Sequence, residues 1–341
     1  MDPESAVPLD DESVAMHARF AGRNLHWLIP GSEACDEACW ISETGDDTER
    51  RWHGWSAVTL ETKDSATAAR KLWERDFDAS LAPCFRWFCG GFTNACFNQL
   101  DRHVLAGRGG KTAFIMETGS GETSTSTYIA LLEEVVVAAR SLTDLGLTQG
   151  ERILIIGPNT LSHVIWILAA QRIGMVYSCL GEQASAAMIT SRIIALSATA
   201  VCLVTPSGDS QLEENTRVAL QKLNKQKPEV IITDRGTGHT DGGTGAGAGA
   251  GAEAGVDKEQ RGRGASQWVT GAMLRDTVRE HHSLKSLGPA GKEEGAACEG
   301  GHVDLVRHLW SVSAPQAVEA NYPLFVVFTS GSTGPPKGAT Q

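Results

Sequence analysis

The run RILIIGPNTLSHVIWILAAQRIGMVYSCL, residues 152–180, decides the fold. Residues 153–156 are apolar, mostly β-branched and, with Arg152, too few for a helix, and Gly157-Pro158-Asn159 closes them off, so residues 152–156 read as a buried strand. Residues 161–173 carry apolar side chains at helical spacing and stop at Gly174; residues 175–180 return to a short apolar run. Strand, helix and strand in such close succession make a βαβ unit, with parallel strands joined by a right-handed crossover.

The same alternation continues on both sides. Upstream, residues 128–145 place Leu131, Leu132, Val135, Ala138, Ala139, Leu142 and Leu145 on one helical face, with Thr127 as N-cap and Gly146 as the stop. Residues 111–117 read as a strand, and apolar positions 92, 96, 97, 100 and 104 predict a short helix. Downstream come a helix over 185–197, a strand over 200–205, a helix over 211–226 and a strand over 229–233. The fold class is α/β, a parallel βαβ sheet flanked by helices. A helical patch follows over 268–281, order resumes at 303–309, and residues 322–328 form a strand.

Four regions result. Residues 1–80 are a poorly patterned extension whose tryptophans, lacking a period, are expected to cover a sheet edge. Residues 81–235 carry the α/β pattern. Residues 236–301 are mostly a disordered insertion: the 29 residues from Gly236 to Gly264 hold 11 glycines, a composition that cannot repay its ordering entropy. Residues 302–341 hold the last strand and a loop.

Composition narrows the function. The 341 residues carry 30 Lys plus Arg against 41 Asp plus Glu, a net charge of -11, so the field of the whole chain repels nucleic acid and anionic lipid. Any phosphate ligand must be held by local donors. No apolar run approaches the ~20 residues that span a bilayer. Acidic residues at 2, 4, 10, 11 and 12 match neither a secretory leader nor a mitochondrial transit peptide, and the eight scattered cysteines suit reduced thiols. A soluble, cytoplasmic protein is expected.

The chemistry lies after the last strand, in Thr329-Ser330-Gly331-Ser332-Thr333-Gly334-Pro335-Pro336-Lys337-Gly338. Glycines let backbone N–H groups turn toward oxygens, hydroxyls donate, and the ammonium of Lys337 neutralises charge, which together suit a polyphosphate. A Walker-type loop needs Gly-Lys-Ser/Thr opening a helix. Here Pro336 disfavours helical geometry at Pro335, so a generic phosphate-loop ATPase fits poorly. An ordinary Ser/Gly loop is the plain alternative.

This loop resembles the signature of the adenylate-forming superfamily, which includes acyl-CoA synthetases, luciferases and peptide-synthetase adenylation domains. The segment RWFCGGFTNACFNQLDRH (86–103) resembles the entry segment of short-chain acyl-CoA synthetases, the acetyl- and propionyl-CoA branch. TYIALLEE (127–134), LGLTQGER (145–152), GPN (157–159) and LAAQRIGMVYS (168–178) continue in that order. The likeness covers about 75–235 and 310–341.

The resemblance implies the N-terminal portion of that fold and two half-reactions: a small carboxylic acid attacks Mg·ATP to give an acyl-adenylate and pyrophosphate, then CoA displaces AMP to give a thioester. It implies that Thr329, Ser330, Gly331, Ser332, Thr333, Gly334 and Lys337 bind the ATP phosphates. It also implies that the Mg2+ ligand, the ribose-binding Asp and the catalytic lysine come after Gln341, so that this chain alone is inactive. Where relatives carry a basic CoA-contacting cluster after the fourth strand of this order, the chain reads TPSGDSQLEE (205–214), with no basic residue before Arg217. A catalytically incompetent nucleotide-binding remnant, acting as an interaction or regulatory module, is the competing reading.

Other constellations read as structural. Cys35, Cys39 and His26 lack a second pair at zinc-finger spacing, so no metal site is expected. Cys84, Cys89 and Cys96 read as small apolar residues beside aromatics. Asp101-Arg102-His103 reads as capping or packing with Trp87, since adjacent helical residues point in different directions. The histidines at 281, 282, 302 and 308 read as solvated.

Overall fold

The computed structural model describes residues 25–28, 40–42, 73–82, 84–117, 121–205, 210–223, 227–235, 266–284, 301–328 and 338–340. The glycine tract between Gly236 and Gly264 lies outside the described residues, as do Trp52 and Trp55.

The first described strands, β1 (His26–Leu28) and β2 (Trp40–Ser42), pair antiparallel. β3 (Arg75–Asp78) and β4 (Arg86–Cys89) form a second antiparallel pair, with Phe77 opposite Trp87 and their rings 4.7 Å apart. Trp73 sets its ring edge-on to Phe88 at 5.0 Å, so this tryptophan covers the β4 strand. The short β5 (Phe92–Thr93) pairs with β1.

The helix expected over 92–104 forms, but wound wider than an α-helix: Phe97–Asp101 and Val104–Arg108 are π-helical turns. β6 (Thr112–Glu117) is the expected strand, and its antiparallel partner β7 (Thr123–Thr127) was not foreseen. The sequence of β7, Thr-Ser-Thr-Ser-Thr, has no apolar residue through which a two-residue period could show. α1 (Tyr128–Asp144) starts as expected, with Thr127 Oγ1 accepting from the Ala130 N–H at 3.3 Å. It ends where Gly146 takes φ 83°, a left-handed turn that favours glycine.

The core alternates β8 (Arg152–Ile156), α2 (Leu161–Arg172), β9 (Val176–Leu180), α3 (Ala186–Leu196), β10 (Ala200–Val204), α4 (Ser210–Lys222) and β11 (Val230–Asp234). β12 (Gln267–Thr270) and α5 (Gly271–His281) then divide the stretch expected to be wholly helical. Trp268 and Val269 run into an amphipathic helix, which hides a four-residue strand; the strand is nonetheless paired in parallel with β11. α6 (Gly301–Ser313) contains the expected 303–309 segment. β13 (Val318–Glu319), β14 (Val326–Phe328) and β15 (Gly338–Thr340) complete the order.

Five strands make one parallel sheet in the order β12-β11-β10-β8-β9. Side chains alternate across it as a pleat requires. Ile153, Ile155, Cys202, Val204 and Ile232 belong to the core cluster that also holds residues of α1, α2, α5 and α6, and Leu154, Ile156, Val201, Leu203 and Ile231 to the cluster that holds residues of α3 and α4. The chain is therefore an α/β sandwich, as its sequence predicts. α1 is buried on nearly every side because α2, α5 and α6 all pack on it. A smaller antiparallel sheet, β13-β5-β1-β2, joins the N-terminal strands to the segment after α6. Among the described residues no helix is long and apolar enough to cross a membrane.

Two ion pairs sit inside this frame. Arg172 at the end of α2 grips Asp101 through two bonds of 2.8 and 3.0 Å, both side chains fully shut off from solvent. Trp310 of α6 donates to Asp101 Oδ1 at 2.6 Å, and Arg172 Nε donates to the Ser313 carbonyl at 2.8 Å. Asp101 is thus structural, but its aromatic partner is Trp310; Trp87 lies tilted against Phe77 instead. In the second pair, Arg275 of α5 holds Asp234 at 2.7 and 2.8 Å, with the Trp166 indole donating to the same carboxylate at 2.6 Å.

Removing one partner of such a pair leaves a charge stranded in the core, which costs about 3–5 kcal/mol. Asp101→Ala should lower unfolding stability by that amount in urea titration, while Asp101→Leu combined with Arg172→Met should lose far less; equal losses would mean that shape rather than charge sets the cost. A second expectation concerns acid. Burial, then the charges of Arg102 and Arg108, hold the His103 imidazole down to about 4, against its ordinary 6.5. The unfolded chain therefore takes up the proton first, so stability is fully present above pH 6.5 and falls between 6.5 and 4. For this half-buried ring the loss is about 1 kcal/mol after solvent screening. Urea midpoints of His103→Gln should be flatter over that window than those of the parent chain; parallel profiles would remove His103 from the account.

Candidate functional site

In an open parallel sheet the carboxyl ends of the strands face outward at one edge, and ligands bind where successive connections leave in opposite directions. Here that point lies between β8 and β10, since β9 follows β8 on one side and β10 lies on the other. The turn after β8 is held tight there. Gly157 N–H donates to the Leu180 carbonyl at 3.0 Å, and a Cβ on Gly157 would lie 2.5 Å from the Val204 carbonyl oxygen, so only glycine fits.

Polar groups gather along this edge. Thr160 caps α2 by accepting from the His163 N–H at 3.4 Å, and Ser185 caps α3 by accepting from the Met188 N–H at 3.3 Å. Burial pulls the His163 imidazole below its ordinary pKa, a shift partly offset by hydrogen bonds to the Pro158 and Gly157 backbone. Thr205 directly follows β10; its Oγ1 is buried and has no hydrogen-bond partner among the described residues. Neither His163 nor Thr205 was singled out in the sequence, where both look like ordinary residues of a cap and a strand end.

The strand that leads into the hydroxyl-rich segment reaches the same edge. Leu324 and Phe325 lie beside β9: Tyr177 N–H donates to the Leu324 carbonyl at 3.3 Å, Tyr177 and Phe325 form a parallel bridge, and Ser178 Oγ donates to the Val326 carbonyl at 2.7 Å. β14 therefore runs in the direction of β9 and leaves the sheet at its carboxyl edge. β15 returns antiparallel, with Val326 opposite Thr340 and Phe328 opposite Gly338. Thr329, Ser330, Gly331, Ser332, Thr333, Gly334 and Lys337 themselves lie outside the described residues; what is described is the pair of strands from which they spring.

The base of this hairpin is closely packed. A Cβ on Gly338 would come within 2.9 Å of Val326 Cγ1 and 3.0 Å of Phe328 Cε1. The guanidinium of Arg192, from α3, lies 4.1 Å from the centre of the Phe328 ring. Arg192 was not foreseen, although a signal existed: it occupies a helical position between Ile189 and Ile193, both fully buried, where the period calls for an apolar side chain.

Among the described residues no group of three or more His, Cys, Asp or Glu could hold a metal ion. The first basic residue after β10 in the described chain, Arg217, has its guanidinium 4.5 Å from the centre of the Trp268 ring. It is occupied in packing α4 against β12.

Comparison with known proteins agrees with this geometry. Residues 100–341 match the family model described as AMP-binding enzyme. The acetyl-coenzyme A synthetase of Burkholderia thailandensis is 31% identical over 302 residues, which cover 86% of this chain and 37% of that protein. The acetyl-coenzyme A synthetase of Mycobacterium bovis is 31% identical over 282 residues, covering 80% of this chain and 35% of that protein. The chain thus spans little more than a third of the curated relatives it matches. With the match reaching from the first π-helical turns to the hairpin that carries the hydroxyl-rich loop, the chain belongs to the AMP-binding enzyme family.

Proposed function

We propose that the chain forms the nucleotide-gripping part of an AMP-forming ligase for short carboxylic acids, acetate or propionate, which converts the acid to an acyl-adenylate and then to a CoA thioester. One observation supports this reading: β14, the strand that leads into residues 329–337, runs alongside β9 toward the carboxyl edge of the parallel sheet, the edge at which such sheets bind ligands, and β15 follows the segment as its antiparallel partner. The donor set fits a polyphosphate. Thr329, Ser330, Ser332 and Thr333 would donate hydroxyls, Gly331 and Gly334 would turn the backbone toward the oxygens, and Lys337 would supply the charge. The names of the relatives support the acyl-CoA side of the reading, and short acids follow from the likeness of residues 86–103 to that branch.

A specific observation favours a second reading. With no basic residue between Thr205 and Glu214 and with Arg217 seated on Trp268, the stretch after β10 offers little to the phosphates of CoA. A nucleotide-binding module without thioester chemistry would tolerate that.

Charge-assisted contacts are worth about 1.5–3 kcal/mol, so Lys337→Ala should weaken ATP binding by the chain, measured by titration calorimetry, about tenfold to a hundredfold. Unchanged affinity would take the loop out of the reading. In the protein that carries this chain, acetate- or propionate-dependent exchange of pyrophosphate into ATP, followed by thioester formation with CoA, would support the ligase; exchange without thioester would favour the second reading.

A further inference from the structure

β14 is tied to the parallel sheet at one end. Tyr177 bridges Phe325, the Tyr177 N–H donates to the Leu324 carbonyl at 3.3 Å, and Ser178 Oγ donates to the Val326 carbonyl at 2.7 Å. Beyond Val326, among the described residues, the strand is paired with β15 alone, and β15 is exposed along its whole length. Two antiparallel strands are marginal by themselves in water, so the far end of this hairpin takes its direction from side chains.

Val326 and Phe328 share one face of β14. Val326 packs on the cluster that holds residues of α3 and α4, whereas Val327, on the opposite face, is 48% exposed. Phe328 meets Arg192, whose guanidinium lies over the ring at 4.1 Å from its centre. Arg192 comes from the face of α3 that buries Ile189 and Ile193, and only 8% of its surface is exposed. Its Nη1 is shut off from solvent with no hydrogen-bond partner, and it forms no ion pair among the described residues. Arg172 and Arg275, by contrast, each hold a carboxylate through two bonds. A guanidinium kept from water without a carboxylate is costly, and the contact that offsets the cost here is the ring. The same ring backs on Gly338, where a Cβ would lie 3.0 Å from Phe328 Cε1, so Phe328 sets both the end of β14 and the start of β15.

We propose that Arg192 and Phe328 form a clasp that fixes the β14–β15 hairpin to α3, and that Arg192 is thereby a positioning residue for whatever the hairpin carries. A cation–π contact withdrawn from water is stronger than an exposed one, and its opening leaves no carboxylate unpaired, so the clasp releases without breaking the parallel sheet. Its bearing on nucleotide binding rests on the reading of the stretch between the two strands as a polyphosphate loop.

The experiment is amide hydrogen exchange on the whole chain, joined to titration calorimetry with ATP. Arg192→Met keeps the length of the side chain and removes its charge. In that variant the amides of β14 should exchange about tenfold to thirtyfold faster while those of β8 and β10 keep their rates, and Arg192→Lys should recover part of the protection. Phe328→Leu, on a strand outside the parallel sheet, should give the same local loss, and the double variant should lose no more than either single one. Equal acceleration in β8, β10 and β14 would make the arginine a packing residue; additive losses, or exchange unchanged in β14, would overturn the clasp. ATP affinity should fall about tenfold in Arg192→Met as the hairpin opens. Affinity unchanged in Arg192→Met but lowered in Lys337→Ala would overturn the positioning role and leave the loop reading intact. Affinity unchanged in Lys337→Ala, or no ATP binding by the parent chain, would overturn the loop reading, while the exchange rates would still decide the clasp.

Discussion

The structure depends first on a carboxylate and a guanidinium that never meet water. Asp101 lies in the π-helical turns, Arg172 ends α2, and the residues that complete their bonding, Trp310 and Ser313, come from α6. Because neither charge can exchange its partner for solvent, three segments far apart in sequence must arrive together. The backbone around the pair extends the constraint. The Arg172 carbonyl accepts from the Gln316 N–H at 2.7 Å, and Asn94 Nδ2 donates to the carbonyls of Gln171, Arg172 and Gln316. The chain leaving α6 is thereby steered across β5 and toward β9, where it becomes the strand that carries the loop.

The second buried pair does the same work on the same face of the sheet, at the end of β11. Asp234 ends β11, Arg275 lies in α5 and Trp166 in α2, so the pair fixes the last crossover against the layer that supports β8 and β9. Both units follow one recipe: a bidentate arginine and an indole N–H saturate a carboxylate whose lone pairs would otherwise be stranded. Arg192 departs from that recipe: its guanidinium lies over the Phe328 ring, and its Nη1 has no hydrogen-bond partner among the described residues.

Much of the frame was legible in the sequence because burial leaves a period. The strands ending at Ile156, Leu180 and Val204 are apolar runs closed by turn residues, and Thr127, Gly146 and Gly174 mark helix ends by chemistry that acts within a few residues. What was not legible depends on distant partners. Arg172 looks like an ordinary basic residue in a last helical turn, and only the fold brings Asp101 to it. The wider winding of 97–108 preserves the apolar spacing of an α-helix and so could not be distinguished from one. β7 is uniformly polar, and β12 hides at the front of a helix. The composition of residues 329–338 was readable, whereas the contact of Arg192 with Phe328, and of Phe328 with Gly338, joins three segments that no local pattern connects.

β11 and β12 are neighbours in perfect parallel register, Val230 beside Gln267 and Thr233 beside Thr270, although the chain between Asp234 and Gln267 includes the glycine tract. Closing a connection costs entropy only with the logarithm of its length, about 0.6 kcal/mol for each doubling. The strand register is set by the Asp234–Arg275–Trp166 junction and by pairing along the strands, neither of which senses how many residues intervene. This connection is accordingly a place in the fold where evolution can add or remove sequence at little energetic cost, and repeats can expand or contract there without disturbing the carboxyl edge of the sheet.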